Sequence, residues 1–298
     1  MKINEAIKDY ILEIQIRKYS PITVRTYKSK LNHFAAFCNE KDVAEMEDLS
    51  MAIIKRYTQA QIERGMTGVY INTLLKTIKS FVQYCYDEGY GGFNTTRNQF
   101  RWVKEQKPVI TTFNKKQIKL LINNCKGSTF RDIRDMAIIV TFLETGIRCT
   151  ELCNIKLEDI HENHITIMFG KNHKSRVVPI TPILNKALMR YNRVRESYFG
   201  DKHVDPQFFL SYRGRQFNNS SIEKVINKRS VGIEGVRTSP HTLRHTWAQA
   251  QLKMGTDIYT ISRLCGHENI RTTQIYLESL RDEEVIQTAQ KNSVLMNL

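Results

Sequence analysis

Along the first hundred residues, apolar side chains recur at intervals of three and four, the period of a helix with one buried face. Ile7, Ile11, Ile14 and Ile16 mark such a face over residues 3–18. Ser20-Pro21 then supplies an N-cap and a proline at the first helical position, where the missing N–H costs nothing. The helix opened there carries Val24, Tyr27, Leu31, Phe34 and Phe37 on one stripe. A third starts at Ser50 and runs through Ile53, Ile54 and Tyr57 to Gly65. A fourth runs from Gly68 to Tyr86 with Leu74, Leu75, Ile78, Phe81 and Val82 inward, until Gly89, Gly91 and Gly92 break it. Four such helices predict a compact all-α domain over residues 1–95.

The period then fades. Residues 96–112 contain Pro108 and several basic side chains, and they read as a linker. Such a segment suits either a polar connector or a chain laid along a DNA backbone. Helical spacing returns at Ile118, Leu120, Leu121 and Ile122, and again over residues 131–144 with Met136, Ile139, Val140 and Leu143. Gly146 interrupts, Arg148 follows, and a short helix spans Thr150 to Ile155. The period next changes to two: HITIMF (164–169), a turn GKNHK (170–174), and SRVVPI (175–180) predict a β-hairpin with a basic tip. Two helices follow over residues 182–198 and 220–228. Ser239-Pro240 opens another through Trp247, Ala250 and Leu252, which Gly255 stops. Thr256 caps the next as far as Leu264, Gly266 ends it, and a last helix from Ile270 contains Tyr276. The pattern predicts a mainly α chain with one small hairpin, its second, mixed α/β domain filling residues 113–298.

Composition sharpens this picture. A chain of 298 residues can bury two cores without disulfides or metals. The six cysteines (Cys38, Cys85, Cys125, Cys149, Cys153 and Cys265) form no CxxC pair, so reduced, buried thiols are expected. No apolar run is long enough to span a bilayer, and MKINEAIKDYILEI has acids where a signal peptide has none. A cytoplasmic, nucleoid-associated protein is expected. The net charge is +15 and unevenly spread: 14 basic and 11 acidic residues up to residue 100, then 31 and 19 beyond it. A surface this basic collects polyanions through counterion release, which points to nucleic acid. A merely soluble basic protein would show the same charge.

Candidate chemistry lies in three stretches. In HTLRH, His241 and Arg244 are three apart and project from one helix face, and His245 stands four from His241. Two histidines at that spacing are half of a zinc-hydrolase motif, but Thr242 occupies the place of the general-base glutamate. Metal is therefore not expected, and His245 is read as packed behind the site. TGIRCTEL and LCGHENIRTTQIYLE add Arg148, Glu151, His267 and Tyr276. Singly, an arginine after a glycine caps a helix and a tyrosine in an amphipathic helix is half-buried structure.

Taken together, the order Arg148, Lys171, His241, Arg244, His267 and Tyr276 resembles the catalytic set of the tyrosine recombinase (phage integrase) family. The resemblance covers essentially the whole chain. It includes the nine-residue step from His267 to Tyr276, the Leu264-x-Gly266-His267 context, and GKNHKSRVVPI, which is most similar to the hairpin of the Xer-type branch. It implies a two-domain C-shaped clamp in which a helical core-binding domain and a catalytic domain grip double-stranded DNA. It further implies Tyr276 as nucleophile, Lys171 as general acid with Lys174 as its rival, and Glu151 as a supporting residue. Arg148 and Arg244 offer planar, always-charged forks for the non-bridging oxygens. His241 and His267 can accept the tyrosine proton or donate to phosphate; which does which is open.

The implied reaction forms a 3′-phosphotyrosine link and a Holliday junction, with no metal, ATP or other cofactor. A homo-tetramer on DNA is implied, the tail at residues 281–298 packing on a neighbour or on its own domain. TGIRCTEL, HTWAQ and the Lys-rich first domain depart from the chromosomal Xer enzymes, and the length leaves no room for an arm-site domain. A mobile-element integrase or transposase is thus favoured over a Xer-type chromosome or plasmid dimer resolvase. From other classes, a type IB topoisomerase, a non-catalytic DNA-binding relative and a metal-dependent nuclease remain.

Overall fold

The computed structural model describes residues 1–95, 100–105, 110–168, 175–267 and 269–277. The hairpin tip with Lys171 and Lys174, and the tail 281–298, lie outside the described residues. The chain divides into two compact units, Met1–Pro108 and Val109–Leu298, a boundary inside the predicted linker.

The first unit is built from α1 (Ile3–Ile16), α2 (Pro21–Asn39), α3 (Met51–Glu63) and α4 (Gly68–Asp87). Ser20 starts α2 as its spacing predicts, accepting a hydrogen bond from the Thr23 amide at 3.1 Å ahead of Pro21. Thr67 does the same for α4 through Tyr70. The apolar stripes meet in one core around Leu31, Phe34, Tyr57, Leu74, Ile78 and Phe81. Phe34 and Phe37 set their edges against the Tyr57 ring. Part of the predicted linker belongs to this unit. Phe100 enters its core, and Asn72 both donates to the Val103 carbonyl and accepts from its amide, each at 2.9 Å. The sequence hid this because one aromatic and one asparagine leave no period.

In the second unit, α6 (Phe130–Thr145) is the central element. Apolar residues fill nearly its whole circumference, from Ile133 to Phe142, so it is enclosed by its neighbours rather than lying on a surface. It packs on α8 (Pro182–Phe199) and α10 (Pro240–Lys253). The unit also holds α5 (Lys115–Asn123), α7 (Cys149–Asn154) and α9 (Asn219–Arg229), with α9 packed on α6, and α11 (Ile258–Cys265) and α12 (Arg271–Leu277), which pack on α10. Strands β1 (His164–Met168) and β2 (Ser175–Pro179) pair antiparallel, with Ile165 opposite Val178 and Ile167 opposite Arg176. A buried cluster also fixes α6 to α9: Asp135 accepts from both Arg134 and Arg229.

One glycine matters to the site. Gly146 ends α6 in the left-handed region (φ 60°), and a Cβ there would stand 2.3 Å from the Trp247 ring. Only glycine allows both the turn and the close approach of α10. No helix among the described residues is long and apolar enough to cross a membrane.

Candidate active site

Helix C-termini leave carbonyl groups without intrahelical partners and carry partial negative charge. In the second unit, arginines answer this at two such ends. Arg244, in α10, donates from Nη1 to the Gly146 carbonyl at the end of α6 (2.7 Å) and from Nη2 to the Cys265 carbonyl at the end of α11 (2.8 Å). Arg148 donates from Nη2 to the Gly266 carbonyl. Arg176, on β2, donates from Nε to the Leu264 carbonyl at 2.7 Å. The three guanidinium groups are thus gathered about the left-handed turns at Gly146 and Gly266.

Glu151 ties two of them together. Its carboxylate accepts from Arg176 through both fork nitrogens, at 2.8 and 2.7 Å, and from Arg148 Nη1 at 2.9 Å. It also caps its own helix by accepting from the Arg148 amide at 2.7 Å. Burial works against its charge, but Arg176 and then Arg148 hold the carboxyl below its usual pKa. The Arg148 side chain is still one-third exposed, so its outer edge can meet a ligand.

His267 follows the Gly266 turn. Its Nε2 stands 2.7 Å from Arg244 Nη2 and its Nδ1 stands 2.7 Å from Thr273 Oγ1. A guanidinium can only donate, so Nε2 accepts and the ring proton sits on Nδ1, donated to Thr273. Burial, with Arg244, Arg148 and Arg176 behind it, drives the His267 pKa down to about 4. The ring is neutral at pH 7.

His241 lies on the first turn of α10 and is exposed. Its pKa is lowered by partial desolvation of the ring, then by Arg244, Arg237 and Arg148. His245, one turn on, is part-buried, and its Nδ1 lies 2.7 Å from the Tyr276 hydroxyl. Tyr276 packs among Trp247, Ala248, Ile261 and Cys265 and is only 2% exposed. Burial pushes its phenol up to about 12.

The chain matches the Phage integrase family over residues 111–283, more than half its length. It belongs to that family. A second match, to the family's N-terminal SAM-like domain, covers residues 7–89. The chain is 27% identical to the tyrosine recombinase XerC of Halalkalibacterium halodurans, over 93% of each protein. It is 30% identical to the XerC of Thermodesulfovibrio yellowstonii, over 91% of this chain and 90% of that one. Its fold is similar to that of a lambda integrase tetramer bound to a Holliday junction, with a TM-score of 0.75 and 15% identity. That likeness covers 95% of this chain and 78% of the other.

Of the sequence-predicted residues of this family member, hydrogen bonds link Arg148 to Glu151 and to the turn before His267, and Arg244 to His267. The Tyr276 hydroxyl lies 2.7 Å from Nδ1 of His245, which was not among the predicted catalytic residues. His245, read from the sequence as packed behind the site, is part-buried and stands within hydrogen-bond distance of the Tyr276 hydroxyl. Among the described residues, no group of three or more His, Cys, Asp or Glu is placed to hold a metal ion. Arg176 and Thr273 were not singled out from the sequence. Arg176 did leave a signal: in SRVVPI it shares the inward face with Val178, and a charge on an apolar face needs a buried partner.

Removing that partner is expected to be costly. Arg176→Met leaves the buried Glu151 carboxylate with Arg148 alone and should lower stability by about 3 kcal/mol. Glu151→Gln in the same background should recover part of the loss, as a double-mutant cycle by urea unfolding would show. Additive losses would refute the coupling.

The His267 shift carries a pH signature. A folded-state pKa below the unfolded value of 6.5 means that the neutral ring contributes stability above pH 6.5. That contribution is lost as pH falls through the folded value of about 4. Wild type should therefore lose more stability than His267→Gln between those limits; equal losses would contradict it.

Proposed function

We propose that this chain is a site-specific recombinase that cuts and rejoins double-stranded DNA through Tyr276. The observation that carries the reading is the gathering of Arg148, Arg244 and His267 on the two glycine turns, with α12 and its tyrosine anchored beside them. Two fixed cations side by side suit a phosphodiester, whose charge grows as an oxygen nucleophile attacks.

In the proposed reaction the Tyr276 oxygen bonds to phosphorus and the bond to the 5′ oxygen breaks, giving a 3′-phosphotyrosine and a 5′ hydroxyl. The tyrosine proton passes to a histidine, His241 or His267 as implied by resemblance. The departing oxygen takes a proton from Lys171, which lies outside the described residues. Glu151 supports by holding Arg148. The bond energy stays in the phosphotyrosine, so a second strand's 5′ hydroxyl can reverse the step without ATP. An anion between Arg148 and Arg244 would offset their share of the low His267 pKa, which burial dominates, and so favour the protonated ring.

The helical residues 1–95 are assigned to DNA binding, residues 96–112 to the connection, and residues 113–298 to catalysis, in a cytoplasmic, nucleoid-associated enzyme. Exchange through a Holliday junction by four copies of the chain, their tails 281–298 docked on neighbours, completes the reading. The lambda integrase tetramer on such a junction supports the fold for this assembly. Between the two biological settings, the XerC relatives, matched over nearly their whole length, favour a Xer-type role over the mobile-element integrase that the motifs suggested.

The experiment is covalent trapping on a nicked DNA bearing the recombination site, with EDTA present. A phosphotyrosyl peptide at Tyr276 is expected. Capture at another residue, or a requirement for a divalent cation, would defeat the proposal.

A further inference from the structure

Strand β2 begins at Ser175, and its second residue, Arg176, pairs with Ile167 on β1. A two-stranded hairpin has little stability of its own, so its aim depends on what its side chains grip. The Arg176 side chain turns inward and is 10% exposed, against 33% for Arg148. Its Nε donates to the Leu264 carbonyl at 2.7 Å, and its Nη1 and Nη2 donate to the two Glu151 oxygens at 2.8 and 2.7 Å. One rigid plane of nitrogens thus ties the hairpin to α7, through Glu151, and to α11 just ahead of the Gly266 turn. So buried and so engaged, this guanidinium is no phosphate ligand. It does share a carboxylate with one: Glu151 also accepts from Arg148 at 2.9 Å, and Arg148 donates in turn to the Gly266 carbonyl.

The far end of the hairpin bears the lysines. Lys171 and Lys174 lie outside the described residues, but chain length bounds their distance from this anchor. Lys174 is two residues before Arg176 and Lys171 is five, a reach of at most about 17 Å when fully extended. Both ends of the tip join paired strands, Met168 opposite Ser175. Whichever lysine donates, its proton meets the departing oxygen only if the base of the hairpin stays in register with the phosphate. A misplacement of about 1 Å at a reacting group costs about a hundredfold in rate.

We propose that Arg176 is a positioning residue for protonation of the leaving 5′ oxygen: it fixes the base of the lysine hairpin to the carboxylate that holds Arg148 and to the turn before His267. Proton donor and phosphate grip are thereby set by one buried side chain. The inference rests on the recombinase reading and on a hairpin lysine as general acid.

The test compares two nicked DNA substrates, one with the natural bridging 5′ oxygen at the cleaved phosphate and one with sulfur in its place. In both, the Tyr276 oxygen bonds to phosphorus. With oxygen the P–O bond breaks and the alkoxide takes a proton from lysine. With sulfur the P–S bond breaks and a thiolate leaves unprotonated, since a thiol has a pKa of only about 8.5. Arg176→Lys keeps a cation but cannot span both Glu151 and the Leu264 carbonyl. Measured well below its melting temperature, it should cleave the oxygen substrate about a hundredfold more slowly than wild type, the low end of what proton transfer contributes. On the sulfur substrate its loss should shrink to within about tenfold, because that transfer is no longer needed. Arg148→Lys should lose equally on both, since the non-bridging oxygens are unchanged. Should Arg176→Lys fail to fold, Arg176→Met combined with Glu151→Met replaces the buried ion pair by apolar groups. That double variant should likewise lose more on oxygen than on sulfur.

An equal loss on the two substrates overturns the proposal, leaving Arg176 to the fold or to the phosphate grip alone. Wild type that cleaves both substrates beside a variant without sulfur rescue defeats this inference and spares the recombinase reading. Wild type that cleaves neither defeats that reading, and the inference falls with it.

Discussion

Tyr276→Phe is expected to abolish covalent capture of DNA and leave the fold nearly untouched. The phenylalanine ring keeps the packing against Trp247, Ile261 and Cys265 and removes one oxygen. Loss of the hydrogen bond to His245 should cost about 1 kcal/mol of stability. Loss of the nucleophile should cost about a millionfold in rate, the scale seen when an enzyme's attacking group is removed. A denaturing gel of protein and nicked substrate reads the first effect, and thermal unfolding reads the second. The separation is the informative part, because a structural tyrosine would lose stability and activity together. Persistent covalent complex in the variant would disqualify Tyr276.

Arg244→Lys should lower both quantities. The guanidinium spans three acceptors at once: the Gly146 and Cys265 carbonyls and His267 Nε2. An ammonium keeps the charge but is a point, and it cannot bridge two helix ends while also presenting a flat edge to phosphate. Stability should fall by about 2 kcal/mol as at least one buried carbonyl loses its donor. Strand cleavage should fall by about a hundredfold to a thousandfold, the range for removal of one fixed donor to a developing anion. Cleavage rates measured well below the variant's melting temperature isolate the second effect. A lysine variant with wild-type cleavage would show that Arg244 serves the fold alone.

Much of the architecture was legible because local chemistry writes it. Ser20-Pro21 and Ser239-Pro240 open helices where they stand, and the alternation over residues 164–169 and 175–180 frames the hairpin. Gly146 and Gly266 end their helices in the left-handed conformation that glycine allows. The spacing of His241, Arg244 and His245 placed them on neighbouring turns of one helix. Phe100 and Asn72 were less readable, since an isolated anchor has no period to announce it. Arg176 was half-readable: the alternation puts it inward, but nothing local says that its partner is Glu151, 25 residues earlier.

The sequence by itself determined the elements, their order, the basic surface and the set of chemical groups that resembles a strand-transfer site. These depend on short-range periods, capping residues and motif spacing, which a linear chain displays openly. The tertiary structure decided which groups meet. It directed the last carbonyls of α6 and α11 onto three arginines, fixed the proton of His267 on Nδ1 by placing Arg244 at its other nitrogen, and brought the Tyr276 hydroxyl to His245. The reason is geometric. Each residue along a helix turns the side chain by about 100°, so the packing angle of α12 against α10 chooses among neighbouring histidines. No local pattern carries that angle.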